Sequence, residues 1–183
     1  DAPDGSYATI SGVTITPSIT GVGVRIYDNA LATSHAPVRL DLSGCTISGG
    51  LEGVKFEETQ AGTVGGTINN NNISASGIGV NVNSMVTSVS NVFSVTNNTI
   101  NITGQTAGAN PTSAVFLRQL TGTTAATISG NTITGPFYGY LAYNLNTTPV
   151  TEIDGGTISG VLQGVAFINI DPITFTAYAP STA

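Results

Sequence analysis

The chain has 183 residues and a formal net charge of −6; 8% of its side chains are charged and 40% are hydrophobic, with 28 Thr, 16 Ser, 16 Asn and 23 Gly making up most of the remainder. An ordinary soluble domain carries roughly 25% charged residues. Four Lys and Arg cannot neutralise a phosphate backbone, and no apolar run reaches the roughly 18 residues of a membrane span, so the composition argues against a nucleic-acid partner and against membrane insertion.

Apolar residues recur along the whole length, enough to bury one core in a single domain, 1–183. Cys45 is the only cysteine, which removes an internal disulfide and Cys-based zinc sites. The sequence starts at Asp1 without a signal-peptide apolar region, as in a mature secreted protein or an excised segment, and the expected location is secreted or cell surface.

A nine-residue unit recurs along the chain. It reads TISGVTITP at 9–17, DLSGCTISG at 41–49, TINNNNISA at 67–75, SVTNNTINI at 94–102, TISGNTITG at 127–135 and EIDGGTISG at 152–160. Its second position holds Ile10, Leu42, Ile68, Val95, Ile128 and Ile153, at spacings of 32, 26, 27, 33 and 25 residues. Its seventh position is always Ile: Ile15, Ile47, Ile73, Ile100, Ile133 and Ile158. A third element follows each unit: GVRI at 23–26, GVKF at 53–56, GVNV at 79–82, AVFL at 114–117, YLAY at 140–143 and GVAF at 164–167. Apolar residues at i and i+2 around one outward residue have the period of a strand with one buried face. In this frame Tyr143 points inward and Ala142 outward. Each coil therefore holds three short strands. The coils lie near 7–37, 38–62, 63–90, 91–125, 126–150 and 151–172, with a partial coil and tail at 173–183 in which Phe175 continues the Ile153 row.

The fourth position of the unit holds Gly12, Gly44, Asn70, Asn97, Gly130 and Gly155, the two residue types that tolerate positive φ. The fifth holds Val13, Cys45, Asn71, Asn98, Asn131 and Gly156. Three successive Asn predict amides stacked and bonded along the axis of the coils.

The stretch TISGNTITGPFYGYLAYN resembles the parallel β-helix repeat of the pectate-lyase-like right-handed β-helix superfamily, over about residues 7–170. The resemblance implies an all-β fold, a right-handed single-stranded parallel β-helix (solenoid) of about six coils plus a partial seventh. It leaves function open, since that superfamily holds lyases, hydrolases, epimerases, phage tail fibres and adhesin passengers. Its enzymes are expected to use carboxylates on neighbouring coils with a Lys or Arg, often with calcium.

Such a cluster is scarce here. Arg25 and Lys55 are expected to point outward one coil apart, with Tyr27, Asp28 and His35 nearby; they suit an anionic sugar, unless Glu57 shares their charge. Glu152 and Asp154 flank Ile153 as a paired carboxylate or a solvated acidic end, and Asp41, Glu52, Glu57 and Glu58 read as surface charge. His35, the single histidine, lies in a loop. Tyr138 and Tyr140 are candidates for exposed sugar contacts, beside core or loop packing. Outward pairs such as Thr14/Thr16, Thr132/Thr134 and Thr157/Ser159 resemble the rows of ice-binding solenoids. The ends, with Tyr7, Thr9 and Ile10 at one and Ile173, Phe175 and Tyr178 at the other, carry no capping helix and are candidates for self-association, unless Pro3 and Pro180 with Asp1 and Asp4 blunt them.

The resulting expectation is a non-enzymatic extracellular structural or adhesive protein, self-associating end to end into a filament or surface stalk. No catalytic residue, metal or cofactor is expected. The alternative is a module that binds or cleaves polysaccharide, with cell-surface carbohydrate as its partner, and the third reading is ice binding.

Overall fold

A computed structural model describes residues 7–28, 38–58, 64–84, 91–104, 111–118, 124–143, 150–168 and 175–177, and these contain strands and turns without a helix. Sheet 1 stacks Tyr7–Ser11, Val38–Ser43, Val64–Asn69, Asn91–Thr96, Thr124–Ser129, Val150–Asp154 and Phe175–Ala177. Sheet 2 stacks Thr14–Ile15, Thr46–Ser48, Asn72–Ala75, Thr99–Ile102, Thr132–Thr134 and Thr157–Ser159. Sheet 3 stacks Val22–Asp28, Glu52–Glu58, Ile78–Ser84, Ser113–Arg118, Tyr138–Tyr143 and Gln163–Ile168. The chain visits the three sheets in rotation, and every strand pairs in parallel with its counterparts one turn away, an arrangement consistent with a parallel β-helix.

The apolar rows of the sequence are register rows of the structure. Ile10, Leu42, Ile68, Val95, Ile128 and Ile153 pair in succession in sheet 1. The Ile row from Ile15 to Ile158 does so in sheet 2. The described side chains of both rows face one interior with the third row from sheet 3, and Ile47, Ile73, Ile100 and Ile133 are completely buried there. Phe56 and Phe93 meet edge to face in the same interior, with ring centroids 5.1 Å apart. Small residues make room for the Ile row: a Cβ on Gly79 would lie 2.5 Å from Cγ2 of Ile100.

Two expectations are corrected by register. Tyr140 pairs with Val115 and Val165, so the repeating unit is 139–142; Tyr140 and Ala142 enter the core, and Leu141 and Tyr143 belong to the outer face. The pattern at 138–143 is apolar on both alternating faces, and only pairing with AVFL at 114–117 decides which one turns inward. Phe175 pairs with Thr151, and it is Ala177 that follows Ile153.

The turn between sheets 1 and 2 is uniform. Gly12, Gly44, Asn70, Asn97, Gly130 and Gly155 have φ of 64°, 60°, 61°, 56°, 64° and 61°. The next residue then points its side chain along the axis. Oδ1 of Asn71 accepts from the Cys45 N–H at 2.9 Å, Oδ1 of Asn98 from the Asn71 N–H at 2.9 Å, and Oδ1 of Asn131 from the Asn98 N–H at 3.0 Å. Their Nδ2 groups donate back one turn, to the carbonyls of Leu42, Ile68 and Val95 at 3.0, 2.9 and 2.8 Å. All three amides are buried. The predicted amide stack is present.

Cys45 occupies the same place one turn earlier. Its Sγ lies 3.7 Å from the Ile10 carbonyl and 3.4 Å from that of Ser43, matching the contacts of Asn71 Nδ2 with Leu42 and Asn69. The thiol is a weak donor in an amide's position. At the other end Gly156, at φ 85°, ends the row, because a Cβ there would press on the Asn131 backbone.

Removing one amide strands several buried partners, each costing about 1–3 kcal/mol. Asn98→Ala is therefore expected to destabilise the fold by about 3 kcal/mol in urea unfolding, against a change within about 0.5 kcal/mol for the exposed Thr46→Ser. Cys45→Asn would extend the stack by one amide and is expected to raise stability by about 1 kcal/mol in the same measurement.

Candidate functional site

The outer face of sheet 3 collects the chain's chemistry. One outward row reads Arg25, Lys55, Asn81, Phe116, Leu141 and Ala166, and the neighbouring one Tyr27, Glu57, Asn83, Arg118, Tyr143 and Ile168. The face changes character along the axis, from ions to rings.

At the charged end Arg25 donates from Nε and Nη2 to Glu57 Oε2, at 3.0 and 2.5 Å. Lys55 Nζ stands 3.5 Å from the same oxygen and 4.0 Å from Glu52 Oε2. Asn81 donates from Nδ2 to Glu52 Oε1 at 3.2 Å, and the Arg25 guanidinium stacks 4.7 Å over the Tyr27 ring. The two cations thus face two carboxylates, which relieves the repulsion expected of a bare Arg25 and Lys55. Burial raises the Glu57 pKa, but hydrogen bonding to Arg25 and the charges of Lys55 and Arg25 outweigh it, so the net shift is downward.

At the apolar end Phe116, Tyr138 and Leu141 are buried in a cluster outside the main core, with Ile78, Phe137, Tyr143 and Ala166 packed against them. The Phe137 and Tyr138 rings meet at 4.7 Å. A cavity of about 110 Å³ opens here, lined by Pro111, Phe116, Arg118, Tyr138, Leu141, Tyr143 and Ile168. Nε of Arg118 is buried with no hydrogen-bond partner; Oδ1 of Asn81, Oδ1 of Asn83 and Oε2 of Glu52 likewise accept no hydrogen bond.

The structure brings Arg25, Tyr27 and Lys55 together and separates Tyr138 and Tyr140 from them. Neither tyrosine is an exposed contact. Tyr138 is 8% exposed within the outer cluster, and Tyr140 lies in the core because its row partners are Val115 and Val165. Burial pushes the Tyr140 phenol up; the Asn131 amide pulls the other way without a hydrogen bond of good geometry. Sequence reasoning missed Phe116, Leu141 and Arg118 as neighbours. The available signal was Phe116, apolar at an outward position where earlier turns carry Lys55 and Asn81; Leu141 gave none, because the frame taken for YLAY turned it inward.

Asp28 keeps its register beside Glu58, while its side chain, His35, Ile173 and Tyr178 lie outside the described residues. Glu152 and Asp154 pair with Thr127 and Ser129; their side chains are also outside the description. Among the described residues no group of three or more His, Cys, Asp or Glu could hold a metal. At the first strand, Tyr7 and Thr9 are exposed and Ile10 is half-buried. The Tyr7 hydroxyl donates to Asp41, and this bond holds the Tyr7 pKa above its ordinary value.

No family model, curated protein or solved structure matches this chain.

A carboxylate with a depressed pKa stabilises the fold above its unfolded value, and that contribution disappears as pH falls through the folded one. Glu57, with an ordinary value of 4.5, is such a group. Glu57→Gln is expected to destabilise by less than about 1 kcal/mol near pH 7, in keeping with a partly solvated pair, and to match the parent near pH 2. Thermal melts at the two pH values check this.

Proposed function

We propose that this protein is a non-enzymatic extracellular structural or adhesive element, a right-handed parallel β-helix of six coils and a partial seventh that lengthens by stacking end on end. The repeat supports kinship with the pectate-lyase-like superfamily, and the strong preference of parallel crossovers for one hand supports the winding.

The observation that carries the reading is an open end. Along the inner row of sheet 3, Val24, Val54, Val80, Val115 and Tyr140 are 8%, 0%, 0%, 1% and 4% exposed, whereas Val165 is 44% exposed. Ile158, which closes the sheet 2 row, is only half-buried. The seventh strand, Phe175–Ala177, covers sheet 1 alone. Among the described residues no strand lies beyond Thr157–Ser159 in sheet 2 or Gln163–Ile168 in sheet 3, so each of these sheets presents an edge strand at that end. The opposite end repeats the same rows, with Ile15 for Ile158 and Gly12 for Gly155, but Val24, the counterpart of Val165, is only 8% exposed there, so a second copy would meet an open edge in sheet 2 and a covered one in sheet 3. Such a heterologous contact does not close on itself.

Polysaccharide binding through Arg25 and Lys55 is the weaker reading, since both cations are engaged by Glu57. A second reading, adsorption to ice, rests on sheet 2. Thr14, Thr46, Asn72, Thr99, Thr132 and Thr157 form an uncharged row, exposed at every position, with the strand spacing of about 4.8 Å. Thermal hysteresis, lost in Thr99→Lys, would establish it.

Filaments or axial oligomers growing with concentration are expected in negative-stain images and in sedimentation velocity. Val165→Lys places a charge where the monomer already exposes the side chain and is expected to abolish growth while leaving the thermal melt unchanged. Dispersed monomers of the parent protein at every concentration would overturn the stacking reading.

A further inference from the structure

We propose that the groove on the outer face of sheet 3 binds a small carboxylate carrying an apolar body, with Arg118 as its anchor. A buried guanidinium N–H without an acceptor is expensive, and the partner that relieves it best is an anion able to take two parallel hydrogen bonds. Arg118 is in this condition at Nε, and it lines the same cavity as Phe116, Leu141, Pro111 and Ile168. Their side chains offer no hydrogen bond. The remaining polar groups in the lining are the hydroxyls of Tyr138 and Tyr143.

The donor set therefore selects for charge and the walls for an apolar body. A cation would meet Arg118, and a hydrocarbon would leave its Nε–H unmet. The cavity of about 110 Å³ is somewhat smaller than the roughly 150 Å³ that admits a benzene ring in a closed core, but it is open on one side, where Ile168 is 36% exposed. One six-membered ring or a short branched chain fits, with its carboxylate directed to Arg118 and any continuation leaving past Ile168. The cations of the charged end do not compete, since Arg25 and Lys55 already face Glu57. This site does not depend on end-to-end stacking.

The test is titration of the full chain with benzoate, and with benzyl alcohol as the uncharged analogue, followed by amide NMR shifts. Saturable benzoate binding is expected, with shifts clustered on the strands Ser113–Arg118 and Tyr138–Tyr143, and with benzyl alcohol weaker by about tenfold or more. Arg118→Gln is expected to weaken benzoate by about the same factor. Should that variant fail to melt cooperatively, Ile168→Asp serves in its place: the half-exposed rim tolerates the change, and the added charge is expected to weaken benzoate while sparing benzyl alcohol. Equal binding of the two compounds, no saturation by about 10 mM benzoate, or unchanged affinity in a folded Arg118→Gln or Ile168→Asp variant would each overturn the proposal.

Discussion

Each turn of this chain is too thin to own a core, so everything rests on stacking in register. A residue is buried by its counterparts one turn before and one turn after, and the backbone hydrogen bonds that hold a strand come from the same two neighbours. A slip of one residue in any strand would turn its whole apolar set outward. What prevents the slip is the turn between sheets 1 and 2. With φ near 60° at one position in every turn, the chain leaves sheet 1 and enters sheet 2 at a constant angle, and Leu42, Ile68 and Val95 stay over one another.

The amide stack follows from that turn and reinforces it. The bend points an N–H along the axis into a space closed to water, where an unmet donor would cost about 1–3 kcal/mol. An Asn one turn later reaches it with Oδ1 and sends Nδ2 back to a sheet 1 carbonyl, so a single side chain satisfies both a donor and an acceptor. No apolar residue could do this, and Asp would bring a buried charge. The row is therefore polar by necessity where it is deepest. It relaxes toward the ends, through Cys45, which is buried and performs the same task weakly, to Val13, which is 45% exposed.

This explains which parts of the molecule were legible in sequence. Positions that must repeat in every turn announce themselves: the Ile row, the Gly or Asn of the bend and the three stacked Asn were all readable, and their register pairs are those that the spacing implied. The sharing of charge by Glu57 was one of two readings left open by a spacing argument, and it took the distances to choose it. Where the constraint loosens, the reading slipped. GYLAY at 139–143 offers apolar residues to both faces, so the inward set could not be chosen locally, and Tyr140 and Tyr143 exchanged places. At the final strand the sequence has no Gly or Asn after Phe175 from which to count, and the frame moved by two residues.

The outer face of sheet 3 is where a β-stack is free to vary, because its side chains are not needed by the interior. Random variation under selection for solubility alone would keep that face polar, as it is in sheet 2, where the outward rows are Thr, Ser and Asn. Phe116, Leu141 and Tyr138 break that rule on adjacent strands and bury one another beside Arg118. Phe116 and Arg118 lie in the turn with the widest spacing, the 33 residues from Val95 to Ile128, and Tyr138 and Leu141 in the next, the 25 residues from Ile128 to Ile153. Added length is cheap in a connection and ineffective within a register-bound strand. A local apolar cluster, an unmet guanidinium N–H and an enlarged turn adjoin one another on the stack, and the constraint that fixes every other feature of the fold requires none of the three.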